Sequence, residues 1–215
     1  MKIDIWSDIA CPFCYIGKRH LEKALEQMPD IDVEINWKSF ELDPNAPVDS
    51  DLDIYDTLAK KYGRDRSWAQ QMNNNMVEMA SKAGLDYDMD SVKPTNSFNA
   101  HQLLHLAKTH NKQDEMKETL LSAYFTEGKH VGDVDQLVEI ADTVGIDKDE
   151  ARHVLEENTY SEQVMADIEE AHRIGVQGVP FFYINNKYGL SGAQPVDVFV
   201  DTLQQIEDEA KQAAS

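Results

Sequence analysis

Apolar and polar residues alternate in two short runs near the start of the chain. Ile3 and Ile5 share one side of residues 2–7, and residues 33–37 repeat this period of two. Both runs predict β-strands. Between them, three apolar residues recur at helical spacing: Leu21, Leu25 and Met28. The chain is therefore predicted to begin with a βαβ unit.

The middle of the chain has a different pattern. From about residue 51 to residue 175, apolar residues follow helical spacing and no run is typical of a strand. Three candidate capping boxes each predict the start of a helix: Asp133 with Gln136, Asp147 with Glu150, and Thr159 with Glu162. Apolar stripes such as Val164, Ile168 and Ala171 follow them, and we expect these stripes to pack in a core.

β-structure is predicted again near the C-terminus. Residues 181–184 and 187–190 flank Asn185-Asn186, which is typical of a two-residue hairpin loop, and a last helix is predicted to open at Pro195. Neither end of the chain offers enough strands for a stable sheet alone, so one α/β domain interrupted by a large all-α insertion is expected. The boundaries we assign are 1–48 and 170–215 for the α/β domain and 49–169 for the insertion.

Charge narrows the classes of partner. The 215 residues include 40 acidic and 20 basic ones, which gives a formal net charge of -20. Such a surface repels phosphate backbones and anionic lipids, so neither a nucleic acid nor a membrane is an expected partner. Residues 1–8 contain acids and no signal-peptide apolar region, and no later stretch is long enough to span a membrane. We therefore expect a cytoplasmic protein.

The chain holds two cysteines, which lie in the motif Cys11-Pro12-Phe13-Cys14 between the first predicted strand and helix. Proline is favoured at the first helical position, so Cys11 is expected at the N-cap, where backbone N–H groups and the helix dipole favour a thiolate. Cys11 would be the nucleophile of a thiol-disulfide exchange, and Cys14 would resolve the mixed disulfide. With no third cysteine, no structural disulfide is expected.

A Cys-x-x-Cys motif can also provide two of the four ligands of a structural zinc site. Tetrahedral zinc needs four ligands, and neither a second cysteine pair nor a close-set histidine pair complements this motif, so no metal is expected. His101 and His105 lie one helical turn apart among leucines, and ordinary histidines at the edge of a core are the favoured interpretation.

Two charged residues are candidates for moving a proton to or from Cys14. Asp8 precedes Cys11 by three residues, and Lys38 lies in the second predicted strand. The favoured interpretation is that both are solvated charges, because an uncoupled Asp or Lys is usually exposed.

Four aromatic residues are candidates for an apolar rim around the cysteines that would accept flexible substrates: Trp6, Phe13, Tyr15 and Phe98. For Trp6 and Phe98 the core is the preferred location.

Residues 8–17 (DIACPFCYIG) and 178–182 (GVPFF) together resemble the DsbA-like branch of the thioredoxin superfamily, and most of all its FrnE-type oxidoreductases. Further segments resemble the same family in the same order, so that the match covers nearly the whole chain: 40–44, 96–101, 124–128 and 191–195. The resemblance implies a thioredoxin fold with a helical insertion. It also implies a disulfide oxidoreductase or isomerase that acts on disulfide-containing proteins or small thiols.

The resemblance also assigns site residues. It implies a cis peptide bond before Pro180 that faces the cysteines, and a substrate peptide would then pair with the backbone of Val179. Pro12 and Phe13 would contact the substrate, and His101 would lie near the thiols. Strongly oxidising relatives carry histidine between the cysteines, whereas Phe13 offers neither charge nor donor, so we predict a less acidic Cys11 and a less oxidising couple.

Two rival functions remain open at this stage. Glutathione-dependent 2-hydroxychromene-2-carboxylate isomerases and kappa-type glutathione transferases share the fold, but they typically carry serine at the position of Cys11. Apart from glutathione as a co-substrate near Val179 and Pro180, no cofactor is expected. The second rival is a redox-regulated protein that binds clients without turnover. In a reducing cytoplasm the pair would be mostly a dithiol, which suits reduction or isomerisation of disulfides.

Overall fold

The computed structural model describes residues 1–213 of the chain. The strands are β1 (Lys2–Ser7), β2 (Glu34–Ser39), β3 (Phe181–Ile184) and β4 (Tyr188–Ser191). The helices are α1 (Pro12–Glu26), α2 (Ile54–Tyr62), α3 (Arg66–Ala83), α4 (Phe98–Thr109), α5 (Gln113–Phe125), α6 (Val134–Thr143), α7 (Lys148–Glu156), α8 (Ser161–Arg173) and α9 (Val196–Ala213).

Strands from both ends of the chain form a single four-stranded sheet in the order β2-β1-β3-β4. β1 runs parallel to β2 and antiparallel to β3, with Ile5 opposite Trp37 on one side and Phe182 on the other. In the described residues, helices α2 to α8 all lie between β2 and β3 in the sequence. This arrangement confirms the predicted fold class, an α/β sheet interrupted by a large all-α segment.

Both faces of β1 are buried, which explains its alternating pattern. Ile3 and Ile5 pack under α1 and α9 in one core cluster, together with Leu21, Ala24, Met28, Trp37, Phe182, Ile184, Phe199, Leu203 and Ile206. On the opposite face, Trp6 packs against Ala171 of α8 and is 1% exposed, so its preferred location in the core is confirmed. Because β1 is packed on both faces, the loop that follows it starts from a strand that is held in place.

The C-terminal hairpin forms as predicted, but its loop is longer than predicted. Asn185 and Asn186 adopt φ values of 50° and 54°, in the left-handed region that asparagine tolerates. Ile184 pairs with Tyr188, so the loop holds three residues and not two. The N–H of Lys187 donates to the carbonyl of Ile184, which makes Lys187 part of the turn and delays the start of β4.

Two of the three predicted helix caps are confirmed. The carboxylates of Asp133 and Asp147 accept hydrogen bonds from the first backbone N–H groups of α6 and α7. The cap predicted at Thr159 is wrong, because α8 begins at Ser161 and has Tyr160 at its N-cap. The N–H of Thr159 donates to the carbonyl of Val154 at 3.0 Å, so this residue completes the end of α7 instead.

The helix that carries the cysteines packs very closely against the loop before β3. A Cβ atom built on Gly17 of α1 would lie 2.9 Å from Cγ of Pro180 and 3.3 Å from Cζ of Phe182. Contacts this short are not tolerated in a packed interior, so glycine at this position permits the approach of α1 to Pro180.

We expect Gly17→Ala to lower the free energy of unfolding by about 1 to 3 kcal/mol, because the added methyl group forces the helix and the loop apart. Urea denaturation followed by circular dichroism measures this change. The matched control is Gly178→Ala, since nothing lies within 4 Å of a Cβ atom at Gly178. Equal stability of the two variants would contradict the close approach.

Candidate active site

The cysteine motif opens α1 with the geometry expected from its sequence. Cys11 is the N-cap residue in an extended conformation and Pro12 is the first helical residue. The N–H of Cys14 donates to the carbonyl of Cys11 at 3.0 Å, which closes the first turn. Both cysteines are free thiols and both are buried. The two sulfurs are therefore held on one turn of a helix at the end of β1.

The loop before β3 brings a second segment to the cysteines. The peptide bond between Val179 and Pro180 is cis, as the resemblance implied. The thiol of Cys11 donates to the carbonyl oxygen of Val179 across 3.5 Å. On the opposite side, the hydroxyl of Tyr87 donates to the carbonyl of Pro12 at 2.7 Å. The motif is thus clamped between two loops that are distant in sequence.

Asp8 lies beneath the motif and is 2% exposed, so its interpretation as a solvated charge is wrong. Its carboxylate accepts hydrogen bonds from the hydroxyl of Ser97 at 2.6 Å and from the N–H groups of Leu42 at 2.7 Å and Ala10 at 3.2 Å. Burial alone would raise the pKa of Asp8, but His101 and these donors lower it below its ordinary value. The carboxylate is therefore a fixed negative charge beside the thiols.

His101 is completely buried and lies next to Asp8, not at the edge of the core as the favoured interpretation had it. Its Nε2 lies 3.5 Å from Oδ1 of Asp8, a contact that is too poorly aligned for a hydrogen bond. Burial lowers the pKa of His101, the charge of Lys117 adds to this effect, and Asp8 opposes it. His105, one turn later, lies 3.2 Å from Asp167 of α8. The structure thus brings only the first of the two histidines to the cysteine side.

Lys38 is neither solvated nor placed as a proton shuttle. Its ammonium group lies 2.8 Å from a carboxylate oxygen of Asp167 and 2.9 Å from one of Glu170, and it sits over the ring of Trp6. Burial works toward a lower pKa, but the two carboxylates raise the pKa of Lys38. This lysine ties β2 to α8, and the structure gives it these partners in place of Cys14.

The lysine that interacts with the cysteines is Lys117 of α5, which the sequence analysis missed. It is 0% exposed, and no hydrogen-bond partner for its Nζ atom occurs within residues 1–213. Burial lowers its pKa to about 8, although the negative charges of Cys14 and Asp8 act in the opposite direction. The sequence carried a signal, because Lys117 stands at helical spacing with Leu120 and Leu121, where a core residue is expected.

The docking of α5 explains how this lysine reaches the core. The side-chain amide of Gln113 accepts from the N–H of Trp37 and donates to its carbonyl, both at 3.0 Å. Lys117 follows one turn later on the same face of α5, and its Nζ lies 5.4 Å from the centre of the Trp37 ring. The helix is therefore fixed against β2 at one turn, and the next turn carries the ammonium group inward.

The two thiols share their protons unequally. The pKa of Cys11 is raised well above its ordinary value, because the adjacent Cys14 sulfur takes the negative charge more readily, because Cys11 is buried and because Asp8 is negative. Burial would also raise the pKa of Cys14, but the Cys11 thiol and the charge of Lys117 lower it. The causes at Cys11 are Cys14, burial and Asp8 and not Phe13, so a less acidic Cys11 than in relatives with histidine at that position stays a prediction. In the dithiol the negative charge is favoured at Cys14, whereas the helix-dipole argument favoured Cys11.

An apolar cavity of about 490 Å³ opens beside Cys11. It is lined by Cys11 and Val179 and, on the side of α2 and α3, by residues that include Leu58, Tyr62, Trp68, Met72 and Met76. Phe13 and Leu42 also line it and are 40% and 41% exposed, so they extend its apolar lining to the protein surface. The cavity therefore presents an apolar surface next to the sulfur.

Of the proposed aromatic rim, only Phe13 lines this cavity as an exposed residue. Tyr15 is 3% exposed and its hydroxyl donates to Glu118 at 2.6 Å, so its assignment to a rim is wrong. Phe98, which was expected in the core, is only partly buried at the start of α4.

Three further features of residues 1–213 lie outside the cysteine site. A second cavity of about 560 Å³ is lined by Asp49, Asp53, Asp90 and Glu127 and contains neither thiol. The described residues contain no cluster of three or more histidine, cysteine or acidic side chains that could hold a metal ion. Across that same part of the chain, no helix combines the length and the apolar character needed to cross a bilayer.

Comparisons with known proteins agree with this geometry. A family model described as DSBA-like thioredoxin domain matches residues 2–204. A curated protein of Bacillus subtilis (strain 168), the uncharacterized protein YwbO, is 31% identical over 213 residues, which are 98% of each chain. A solved structure of a probable DsbA oxidoreductase from Streptomyces coelicolor is 40% identical with a TM-score of 0.92, over 97% of this chain and 91% of that one.

A solved 2-hydroxychromene-2-carboxylate isomerase covers both chains completely, with a TM-score of 0.74 and 15% identity. The structural likeness shows that the two proteins share a fold. At this low identity it carries no information on activity.

The buried ammonium of Lys117 predicts a pH dependence of stability. Its pKa is about 8 in the folded protein, against about 10.4 when unfolded, so between these values the unfolded chain binds more protons. Stability should therefore rise with pH from about 8 to 10, and the full destabilisation, on the order of 3 kcal/mol, is present below pH 8.

This rise should be absent in Lys117→Met. Urea denaturation at several pH values measures it, with both proteins carrying Cys11→Ser and Cys14→Ser so that no thiol titrates in the same range. Because the charges of Cys14 and Cys11 favour the protonated lysine, the rise in this background should begin at or below pH 8. Parallel stability curves for the two proteins would contradict a depressed pKa at Lys117.

Proposed function

Since the chain belongs to the DsbA-like thioredoxin family, we propose that it is a thiol-disulfide oxidoreductase in which Cys11 is the nucleophile and Cys14 the resolving thiol. The observation that carries this proposal is the position of the Cys11 sulfur, 3.5 Å from the Val179 carbonyl and at the edge of the apolar cavity. A substrate sulfur that enters the cavity meets Cys11 first, because Cys14 lies one turn deeper and is completely buried.

The reaction proceeds by two thiol-disulfide exchanges. In the reducing direction, the thiolate of Cys11 attacks a substrate disulfide, a bond forms between the two sulfurs, and one substrate thiolate leaves. The thiolate of Cys14 then attacks the sulfur of Cys11, the mixed disulfide breaks, and the second substrate thiolate leaves. Oxidation of a substrate dithiol follows the same steps in reverse. The backbone hydrogen bond from the N–H of Cys14 to the carbonyl of Cys11 keeps the two residues on one helical turn for the second step.

The surroundings of Cys11 favour substrates in which apolar groups flank the reacting sulfur. Aromatic residues and methionines line the cavity, and methionine adapts to side chains of different shape. The backbone of Val179 offers a polar edge beside them, where an extended peptide can pair. We therefore propose disulfide-containing proteins, or small disulfides with an apolar body, as the substrates.

Reduction or isomerisation of disulfides in the cytoplasm is the direction we favour. The raised pKa of Cys11 makes its thiolate less stable than in strongly oxidising relatives, and a less stable thiolate gives a less oxidising couple. Glutathione is then a suitable reductant, and we propose that the chain works as FrnE-type oxidoreductases do. Glutathione-dependent isomerisation is less well supported, because that chemistry uses the thiol of bound glutathione and here Cys11 supplies a thiol at the same place.

The reduction potential tests the proposal directly. We expect a reversible two-electron transition at about -270 to -180 mV in glutathione buffers, followed by tryptophan fluorescence. Cys14→Ser should accumulate a mixed disulfide at Cys11 with an unfolded, disulfide-containing protein such as scrambled ribonuclease, visible on non-reducing gels. Cys11→Ser is the control and should trap none. A wild type without a transition, together with a Cys14→Ser variant that traps nothing, would refute a redox enzyme.

The apolar cavity predicts a substrate-binding effect that can be separated from chemistry. Met72 lines the cavity and is 44% exposed, so Met72→Glu should raise KM for an apolar disulfide severalfold, with a small change in kcat. Its matched control is Met79→Glu, because Met79 lies on the same helix with 42% exposure and outside the lining of the cavity. If both variants change KM equally, the cavity does not bind the substrate.

A further inference from the structure

A buried ammonium group without a hydrogen bond lowers the stability of a folded protein. Lys117 is completely buried, and within the described residues its Nζ has no hydrogen-bond partner. An unpaired charge in an interior is strongly destabilising, whereas an apolar side chain of similar volume is usually tolerated there. The position therefore calls for a negative charge close to Nζ whenever the ammonium form is present.

The groups around Lys117 come from three directions. Cys14, Cys11 and Asp8 act on its charge from the start of α1 and the loop before it, and each favours the protonated form. Lys18, also on α1, opposes it, and its own ammonium group is held by salt bridges to Glu22, Asp114 and Glu118.

Two further neighbours of Lys117 carry no negative charge. The charge of Lys117 disfavours protonation of His101 on α4, and the ring of Trp37 on β2 faces Nζ at 5.4 Å. Asp8 is a constant negative charge, because three donors hold its carboxylate. Among the groups acting on Lys117, the one whose charge changes in the second exchange is the resolving thiol.

We propose that Lys117 is the charge partner of Cys14, and that it holds the proton of the resolving thiol while Cys14 is a thiolate. This inference rests on the proposed thiol-disulfide activity and adds a group to it from outside the cysteine motif. In the reduced enzyme the proton resides on Nζ and the negative charge on the Cys14 sulfur. When Cys14 attacks the mixed disulfide, its electron pair forms the new bond to Cys11, and the electron pair of the broken bond leaves on the substrate sulfur.

The proton balance of this step follows from the loss of the thiolate. Once the Cys11-Cys14 disulfide has formed, the charge that faced Lys117 is gone and the ammonium group loses its partner. Nζ then releases its proton to water, and the departing substrate thiolate takes one from water. In the reverse direction, Nζ takes up a proton as Cys14 becomes a thiolate again.

The chain offers a clean titration, because Cys11 and Cys14 are its two cysteines. In Cys11→Ser the absorbance at 240 nm reports the thiolate of Cys14 alone. We expect a pKa for Cys14 below the ordinary value of about 8.5, and a rise by at least about one unit, a tenfold change in the equilibrium, when Lys117→Met is added. The matched control is Lys82→Met, because Lys82 is an exposed lysine of α3, and it should leave the titration unchanged.

The kinetic test separates the two exchanges. Limiting 5,5′-dithiobis(2-nitrobenzoic acid) releases one nitrothiobenzoate when Cys11 reacts and a second when Cys14 resolves the mixed disulfide. Each unit by which the Cys14 pKa rises lowers the thiolate fraction about tenfold, but it also makes the thiolate about threefold more nucleophilic. Lys117→Met should therefore slow the second release by about threefold for each unit of pKa change. The first release should change less, and Cys14→Ser should abolish the second.

An unchanged Cys14 titration in Lys117→Met, or an unchanged second release, would overturn the inference. If Lys117→Met does not fold, Lys117→Gln takes its place in the Cys11→Ser background, and a Cys14 pKa that is the same with lysine and with glutamine at this position overturns the inference. A wild type that releases no nitrothiobenzoate and shows no redox transition refutes the proposed activity instead, so the two failures are distinguishable.

Discussion

The buried carboxylate of Asp8 fixes the arrangement on which the cysteine site depends. It accepts hydrogen bonds from Ala10 in the loop before α1, from the loop after β2 and from the N-terminus of α4, three segments that are far apart in sequence. A carboxylate saturated by such donors stays ionised, so it supplies position and charge together. The same interaction that joins the sheet to the helical segment therefore also sets the electrostatic environment of the thiols.

The charge of Asp8 also determines how the two thiols differ. Its negative charge disfavours a second one at Cys11, and Lys117 compensates it from the other side, next to Cys14. The thiol that faces the cavity is thus the less acidic of the two, and the deeper thiol is the more acidic. This distribution depends on side chains delivered by α5 as well as by α1, and it cannot be described by the Cys-x-x-Cys motif alone.

The sequence predicted features that depend on local patterns. The alternation around Ile3 and Ile5, the proline that places Cys11 at the N-cap, and the asparagines of the hairpin each act over a few residues. The cap predicted at Thr159 failed because the end of α7 competed for the same residue, a contact that the capping pattern does not contain.

Buried charges were the least predictable part of the site. Asp, Lys and His are usually exposed or at the edge of a core, so a sequence gives no reason to bury one before its partners are known. The donors of Asp8 lie up to 89 residues away, and the helix of Lys117 is positioned by an amide pairing with β2. Lys38 is the opposite case. Its place on a strand beside the motif suggested a role in proton transfer, but its ammonium group is paired with Asp167 and Glu170 of α8.

The pairing of Gln113 with Trp37 also affects how this molecule meets other chains. β2 is the last strand of the sheet on its side, and the open edge of a sheet is where a foreign strand can add. Here one side-chain amide occupies both the N–H and the carbonyl of a central residue of that edge. A foreign strand that approached β2 would find these two groups already paired. The amide that docks α5 therefore also protects the centre of this edge against strand addition.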